Sequence, residues 1–214
     1  MAVASIPYTQ VPPSSGFKPY LEIVYFYNNS FSPKTFGLMD SGADVNVLPY
    51  SVGKSINLPD KTEIEEIEEL KQLSGVGGGV SILERKCKVF IFNDGKAHGF
   101  EELVWWVYPD QQLIDAQNKL VGEIAMLRKH KSETVVGTDL EKYFELEISG
   151  RVQQIISMNN VLEPGILLGR PFFNNFNFVQ FCQRDKAEEE KCVFNYEIRK
   201  KAIKDTVDLK KTTV

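Results

Sequence analysis

Asp40 has the sequence neighbours best suited to hydrolytic chemistry in this chain. It follows a run rich in aromatic and apolar residues at 34–39 and precedes Ser41 and Gly42. Water attacks a peptide bond when one carboxylate takes its proton while a neighbouring carboxylic acid protonates or polarises the substrate. Two such groups about 3 Å apart cannot both ionise, so they hold one proton between them. Taken alone, Asp-Ser-Gly is also the sequence of an ordinary turn.

Two further motifs lie downstream of this turn. Glycines are concentrated at 75–79, and an apolar run at 166–168 leads to Gly169 and Arg170. Pro171 predicts the first turn of a short helix, because its missing N–H is one that a helix start leaves unpaired. The order of the three motifs is more informative than any one of them.

The elements that must position these motifs are predicted to be mainly strands. Apolar patterns rich in aromatic and β-branched residues predict strands at 20–27, 34–39, 45–48, 80–92, 99–108, 178–181 and 192–198. The proline-bearing segment 28–33 predicts a hairpin loop that delivers the chain to Asp40. The sequence Asn-Asp-Gly at 93–95 predicts a second hairpin.

Helices are predicted at two longer segments. Apolar residues recur at helical spacing within 59–73 and again from 110 to 127. Residues 132–160 predict further strand and loop.

Together the motifs resemble those of the retropepsins, the single-domain aspartic proteases of retroviruses and their bacterial relatives. The resemblance rests on the sequence Leu-Met-Asp-Ser-Gly-Ala-Asp at 38–44, the glycines at 75–79, and Leu-Leu-Gly-Arg at 167–170. The ending Pro-Phe-Phe at 171–173 looks most like the bacterial members. The resemblance covers residues 19–108 and 161–199.

The resemblance implies a mainly β fold, a closed barrel of the acid-protease type with one lobe per chain. It also implies that Asp40 is the catalytic residue and that Ser41, Gly42 and Ala43 form the active-site turn. Ser41 would hydrogen-bond across a dimer axis, although its alternative is a plain turn hydroxyl.

The resemblance assigns substrate binding to two further places. Gly42 and Asp44 would bind the substrate main chain, and Arg170 would support the turn by pairing with Asp44. Pro171 differs from the Asn or Asp that is common at its position.

The glycine-rich stretch matches the flap that folds over bound peptide, formed by Gly75, Val76, Gly77 and Gly78. One alternative is an idle hairpin tip. A phosphate-cradling loop fits less well, because Val80 stands where the dinucleotide fingerprint has its last glycine.

The predicted domain organisation is a loose arm at 1–18, a barrel domain at 19–199 and a mobile Lys-rich tail at 200–214. The barrel domain carries an inserted helix-containing segment at about 109–160, which a compact retropepsin lacks. The alternative is a different placement of the insertion, because residues 143–148 resemble the strand that usually precedes the Leu-Leu-Gly run in that family. Because an amphipathic helix must pack on something, the insertion is expected to bury part of a dimer interface or to roof the substrate groove.

Composition and charge bound the partners. The 214 residues carry a formal net charge of −4, which disfavours nucleic acid. The sequence predicts no secretion signal and no membrane partner. His98 and His130 lack metal-ligand spacing, so we expect no metal and no cofactor. Three cysteines, Cys87, Cys182 and Cys192, are too few for a disulfide framework and indicate a reducing compartment, the cytoplasm.

The sequence therefore predicts a homodimeric aspartic endopeptidase that acts on a peptide or protein substrate. Because the chain holds one Asp-Ser/Thr-Gly, the second carboxylate must be Asp40 of another copy, on a two-fold axis. One alternative is a catalytically silent module of the same fold that dimerises and binds peptide. Another is a fragment of a larger polyprotein.

Overall fold

The computed structural model describes residues 3–12, 16–60, 71–75, 78–93, 95–108, 111–182 and 191–208. The chain forms two compact units. The first comprises residues 1–69, 83–106 and 165–214, and the second comprises residues 70–82 and 107–164.

Strands predominate in the described residues. In chain order the elements are β1 (Ala4–Pro7), β2 (Tyr20–Tyr27), β3 (Ser30–Phe31), β4 (Thr35–Met39), β5 (Asn46–Leu48), α1 (Tyr50–Ser55), β6 (Lys71–Gly75), β7 (Gly78–Asn93), β8 (Lys96–Val107), α2 (Gln111–Ser132), α3 (Asp139–Leu162), β9 (Leu167–Leu168), α4 (Arg170–Phe173), β10 (Phe176–Phe181), β11 (Val193–Ile198), a 3-10 turn (Lys200–Ala202) and β12 (Asp205–Asp208).

Six strands close into a barrel in the order β8-β5-β9-β4-β2-β7, with β7 pairing back to β8. The expectation of a mainly β fold with a closed barrel and a few helices is confirmed at that level. Large apolar side chains of the first unit are fully buried, among them Tyr25, Leu48, Phe100 and Trp106. Burying one such side chain contributes roughly 1.5–3 kcal/mol, so the barrel is a stable frame for the segments attached to it.

The hairpin that leads to Asp40 is tighter than predicted. Asn28 and Asn29 join β2 to β3, with φ angles of 42° and 67°. Asn tolerates this left-handed region better than most residues, and positive φ at both turn positions matches the twist of the flanking strands. The predicted loop at 28–33 therefore contains the short strand β3, which pairs antiparallel with β2. Strand β4 then continues along β2 in the same antiparallel direction.

Both segments predicted to be flexible contain strands. Within the predicted loose arm at 1–18, Ala4–Pro7 form β1 and pair antiparallel with β11. Within the predicted mobile tail at 200–214, the described residues form the 3-10 turn and β12, which pairs with β8. Proline and lysine suggested flexible segments in both places, but these residues are also common on edge strands. Strands β1 and β12 each lie at the edge of a sheet.

The second unit contains the β6–β7 hairpin and the helices α2 and α3, which pack against each other. Helix α2 lies where a helix was predicted. The prediction of strand and loop over 132–160 is wrong, since α3 runs from Asp139 to Leu162. The hydroxyl of Thr138 caps α3 by accepting a hydrogen bond from the Glu141 N–H at 3.3 Å.

The spacing of the apolar residues at 143–148 explains why a helix was missed there. It fits both the two-residue period of a strand and the 3.6-residue period of a helix. Phe144 and Ile148 are half-buried, as expected one helical turn apart, whereas Leu146 between them is 74% exposed. A strand would have placed all three on one face. The helix predicted at 59–73 is wrong for residues 71–73, which belong to β6; residues 61–70 lie outside the described residues. No helix in the described ranges has the length and apolar content needed to cross a bilayer.

Candidate active site

Asp40 begins a tight turn between β4 and β5. The Gly42 N–H donates to Asp40 Oδ1 at 2.8 Å, and the Ala43 N–H donates to the Asp40 carbonyl at 3.2 Å. A side-chain oxygen that accepts from the backbone two residues on is the Asx turn expected of Asp. The carboxylate is therefore held in one orientation, and the residue is half-buried.

The apolar run at 166–168 holds the turn from the side. Strand β9 lies between β4 and β5, parallel to the first and antiparallel to the second. The Asp40 N–H donates to the Leu168 carbonyl at 3.1 Å, and the Arg170 N–H donates to the Ala43 carbonyl at 2.8 Å. Both ends of the turn are thus fixed by backbone hydrogen bonds from one passing segment.

Gly169 is required by the close approach of that segment. A Cβ at this position would lie 2.2 Å from the Val45 carbonyl oxygen and 2.8 Å from the Ala43 carbonyl oxygen. Both neighbours are backbone atoms, which cannot move aside cheaply. The glycine of the Leu-Leu-Gly sequence is therefore explained by its close packing against the Asp40 turn.

Asp44 and Arg170 form an ion pair at the surface of the unit. Their side chains are 72% and 64% exposed, respectively. Arg170 begins α4, with Pro171 in the first turn of that helix. The pair joins the Asp40 turn to α4, and its exposure leaves both side chains accessible to a ligand.

A buried polar network lies among the residues next to the turn, and the sequence analysis did not identify it. Asn46 Nδ2 donates to Glu102 Oε2 at 2.8 Å, and Asn175 Nδ2 donates to Glu102 Oε1. Asn46 Oδ1 in turn accepts from the Gly169 N–H at 2.9 Å. One signal was available: Glu102 has the same strand parity as the buried Phe100, Val104 and Trp106, so strand alternation places its side chain on the inward face.

Burial dominates the electrostatics of Glu102. Loss of hydration raises the pKa of this carboxyl, and the hydrogen bonds from Asn175 and Asn46 offset part of the rise. Burial likewise raises the pKa of Cys87 to about 12, with a smaller contribution from Glu102. That thiol stays protonated at neutral pH and is a poor nucleophile.

The predicted flap residues belong to the second unit. Strands β6 and β7 form an antiparallel hairpin in which Gly75 pairs with Gly78. Val76 and Gly77, predicted at the tip, lie outside the described residues. Asp40, the turn at 41–44 and Arg170 therefore lie together in the first unit. The glycine hairpin belongs to the second unit.

Outside the Asp40 turn, the described residues form a cavity but no cluster suited to a metal ion. A cavity of about 540 Å³ in the first unit is lined by residues that include Cys87, Glu101 and Glu102, and none of its lining residues belongs to the Asp40 turn. Among the described residues, no group of three or more His, Cys, Asp or Glu side chains is arranged to hold a metal ion.

Comparison with known proteins gives no relative: no family model, curated protein or solved structure matches this chain. The fold itself defines the class, a mainly β protein with a closed six-stranded barrel and a few helices. The Asp40 turn is the candidate active site within that fold.

Proposed function

We propose that this protein is a retropepsin-like aspartic endopeptidase that works as a homodimer. The observation that carries the proposal is the Asp40 carboxylate, half-buried on a tight turn and oriented by the Gly42 N–H at 2.8 Å. Backbone hydrogen bonds to Leu168 and from Arg170 hold the same turn at both ends. A group that must transfer a proton in a fixed geometry needs this kind of support.

The proposed chemistry is general acid–base hydrolysis. One carboxylate of a pair takes a proton from the attacking water, while its protonated partner donates a hydrogen bond or a proton to the substrate carbonyl.

The second carboxylate is proposed to come from another copy. The 214 residues contain one Asp-Ser/Thr-Gly sequence, and a two-fold axis brings identical residues of two chains together. Ser41 is exposed next to Asp40 and would hydrogen-bond across this axis. The surface around the turn is then an interface in the active form.

The proposed substrate is an extended peptide segment. Gly42 and Asp44 are exposed beside Asp40, where they would contact the substrate main chain. Gly75, Val76, Gly77 and Gly78, the predicted flap, are proposed to bind the same peptide. Recognition of an extended peptide through its main-chain groups gives affinity without requiring one particular side chain.

The test is cleavage of a peptide library by the wild-type chain and by Asp40→Asn between about pH 4 and 7, the range in which a shared-proton pair is partly ionised. Asp139→Asn is a matched control, because the Asp139 side chain is fully exposed on α3. We expect cleavage by wild type and by the control and none by Asp40→Asn. Equal cleavage by all three proteins would remove Asp40 from the mechanism.

A solution mass measurement distinguishes the alternative. A wild-type chain that dimerises but cleaves nothing would favour a silent module that binds peptide. An active monomer would exclude the shared pair.

A further inference from the structure

Glu102 is a buried carboxylate that the proposed chemistry does not use. It is 6% exposed, and each of its two oxygens accepts a hydrogen bond from an asparagine amide. Hydrogen bonds to an ionisable carboxyl are among the stronger ones in proteins. Glu102 is therefore a shared hydrogen-bond partner of both amides.

The orientation of each amide is fixed by a second contact. Asn46 Oδ1 accepts from the Gly169 N–H at 2.9 Å, so its Nδ2 must face Glu102. Asn175 Nδ2 also donates to the Phe172 carbonyl at 3.0 Å. Each amide thus contacts both Glu102 and the backbone of 169–172, and Asn46 Nδ2 also donates to the Leu103 carbonyl at 3.3 Å.

That backbone segment is the one that holds the Asp40 turn. The Arg170 N–H donates to the Ala43 carbonyl at 2.8 Å, directly after the glycine that Asn46 contacts. The side chain of Arg170 pairs with Asp44. A shift of Gly169 would therefore change both the backbone contact and the ion pair.

We propose that Glu102 is a positioning residue that fixes Asn46 and Asn175, and through them the segment 169–172 against the Asp40 turn. The proposal rests on the proposed function, because the turn that is positioned carries Asp40. Glu102 has no assigned contact with substrate. Its effect passes through the two asparagine amides.

The donor and acceptor pattern allows a specific test. In Glu102→Gln one carboxylate oxygen is replaced by an NH2 group. This group faces the NH2 group of an asparagine, so two donors meet with no acceptor between them. In Asn46→Asp two buried carboxyls face each other, so the comparison is made above the pH at which they lose the proton they share, where acceptor meets acceptor. In the double variant the new amide at 102 donates to the new carboxylate at 46 and accepts from Asn175. The second oxygen at 46 still accepts from Gly169.

The experiment measures hydrogen exchange of the Gly169 amide by NMR, together with kcat and KM for peptide cleavage. The proteins are wild type, the two single variants, the double variant and Glu101→Gln, whose side chain is exposed one position away on β8. We expect each single variant to exchange the Gly169 amide about tenfold faster. The kcat per folded molecule is expected to fall about tenfold to hundredfold, with KM changing less.

Recovery in the double variant is the critical result. We expect its Gly169 exchange and its kcat to return to within about threefold of wild type, because positions 46, 102, 169 and 175 are complementary again and only the 3.3 Å contact with the Leu103 carbonyl is lost. Glu101→Gln is expected to match wild type in both. A single variant that does not fold, beside a double variant that folds, also supports the proposal.

Three results would overturn it. The first is wild-type exchange and wild-type kcat per folded molecule in Glu102→Gln, even with a lower melting temperature. The second is a double variant no better than the singles, and the third is a double variant that does not fold. If wild type cleaves no peptide, the proposed function fails, and Gly169 exchange alone decides whether Glu102 positions the segment.

Discussion

The exposed and the buried contacts of the Asp40 turn differ in kind. The exposed contact is the Asp44–Arg170 ion pair, with side chains 72% and 64% exposed. The buried contacts join Asn46, Glu102 and Asn175, which are 1%, 6% and 8% exposed. Exposed ion pairs contribute about 0–1 kcal/mol, whereas a buried polar group left without its partner costs about 1–3 kcal/mol. The buried network therefore stabilises the turn, and the exposed pair is left available for binding.

The two glycines near the turn show the same contrast. A Cβ on Gly42 would meet only Asp40 Oδ1, at 3.2 Å, while a Cβ on Gly169 would overlap two backbone carbonyls. Gly42 is exposed, so its missing side chain leaves space for a ligand rather than for packing.

The largest expected effect is that of Gly169→Ala. Because the Val45 carbonyl oxygen lies 2.2 Å from the added carbon, the segment must move, and we expect a loss of about 3–5 kcal/mol in the free energy of unfolding. Urea unfolding measures it. Gly165→Ala is the control, since a Cβ there meets nothing within 4 Å. Equal stability of the two variants would mean that Gly169 is not closely packed.

Asn175→Ala is expected to have the next largest effect. It removes a donor from the buried Glu102, and we expect a loss of about 1–3 kcal/mol in the same unfolding measurement. The neighbouring Asn174 is exposed, so Asn174→Ala provides a matched control with a change below about 0.5 kcal/mol. A larger effect at Asn174 would contradict the difference between buried and exposed contacts.

The stability of the fold is expected to depend on pH through Glu102. Because burial raises the pKa of Glu102 above its ordinary value of 4.5, the folded chain binds a proton there more tightly than the unfolded chain. The contribution of Glu102 to the free energy of unfolding is therefore largest below that ordinary value and decreases as pH rises through the raised pKa. We expect Glu102→Gln to remove this decrease and Glu101→Gln to retain it. Unfolding in urea across this pH range checks both, and a decrease that persists in Glu102→Gln would mean that a different group titrates.

Arg170→Gln is expected to have the smallest effect on stability, below about 1 kcal/mol, because its ion pair is exposed. Under the proposed function it nevertheless lowers cleavage. Lys34→Gln is the control, since it breaks the exposed Lys34–Glu22 pair and lies outside the Asp40 turn. If both variants cleave as wild type does, Arg170 has no role in binding or support of the turn.

Sequence patterns predicted the barrel strands better than they predicted the helices or the ends of the described chain. Apolar strands such as β2 and β8 have alternating or continuous patterns that a helix does not share. At 143–148 the pattern fitted both periods, and only packing against α2 decided for α3. Strands β1 and β12 were missed because pairing partners far away in sequence order them.

The residues of the candidate site also divide into those that the sequence predicted and those that it did not. Asp40, Gly169 and Arg170 lie in recognisable motifs, because backbone geometry and charge restrict which residues are allowed there. Glu102 and Asn46 lie in apolar strands, and their partnership spans a long stretch of sequence. Such a contact depends on which strands become neighbours in the barrel. A single sequence does not show that pairing.

The most direct test of the shared carboxylate pair mixes wild-type and Asp40→Asn subunits at constant total concentration, after exchange has been verified by mass. If each site needs Asp40 from both copies, activity follows the square of the wild-type fraction, so an equal mixture retains about a quarter of the activity. Activity of about half in that mixture, in proportion to the wild-type fraction, would contradict the account.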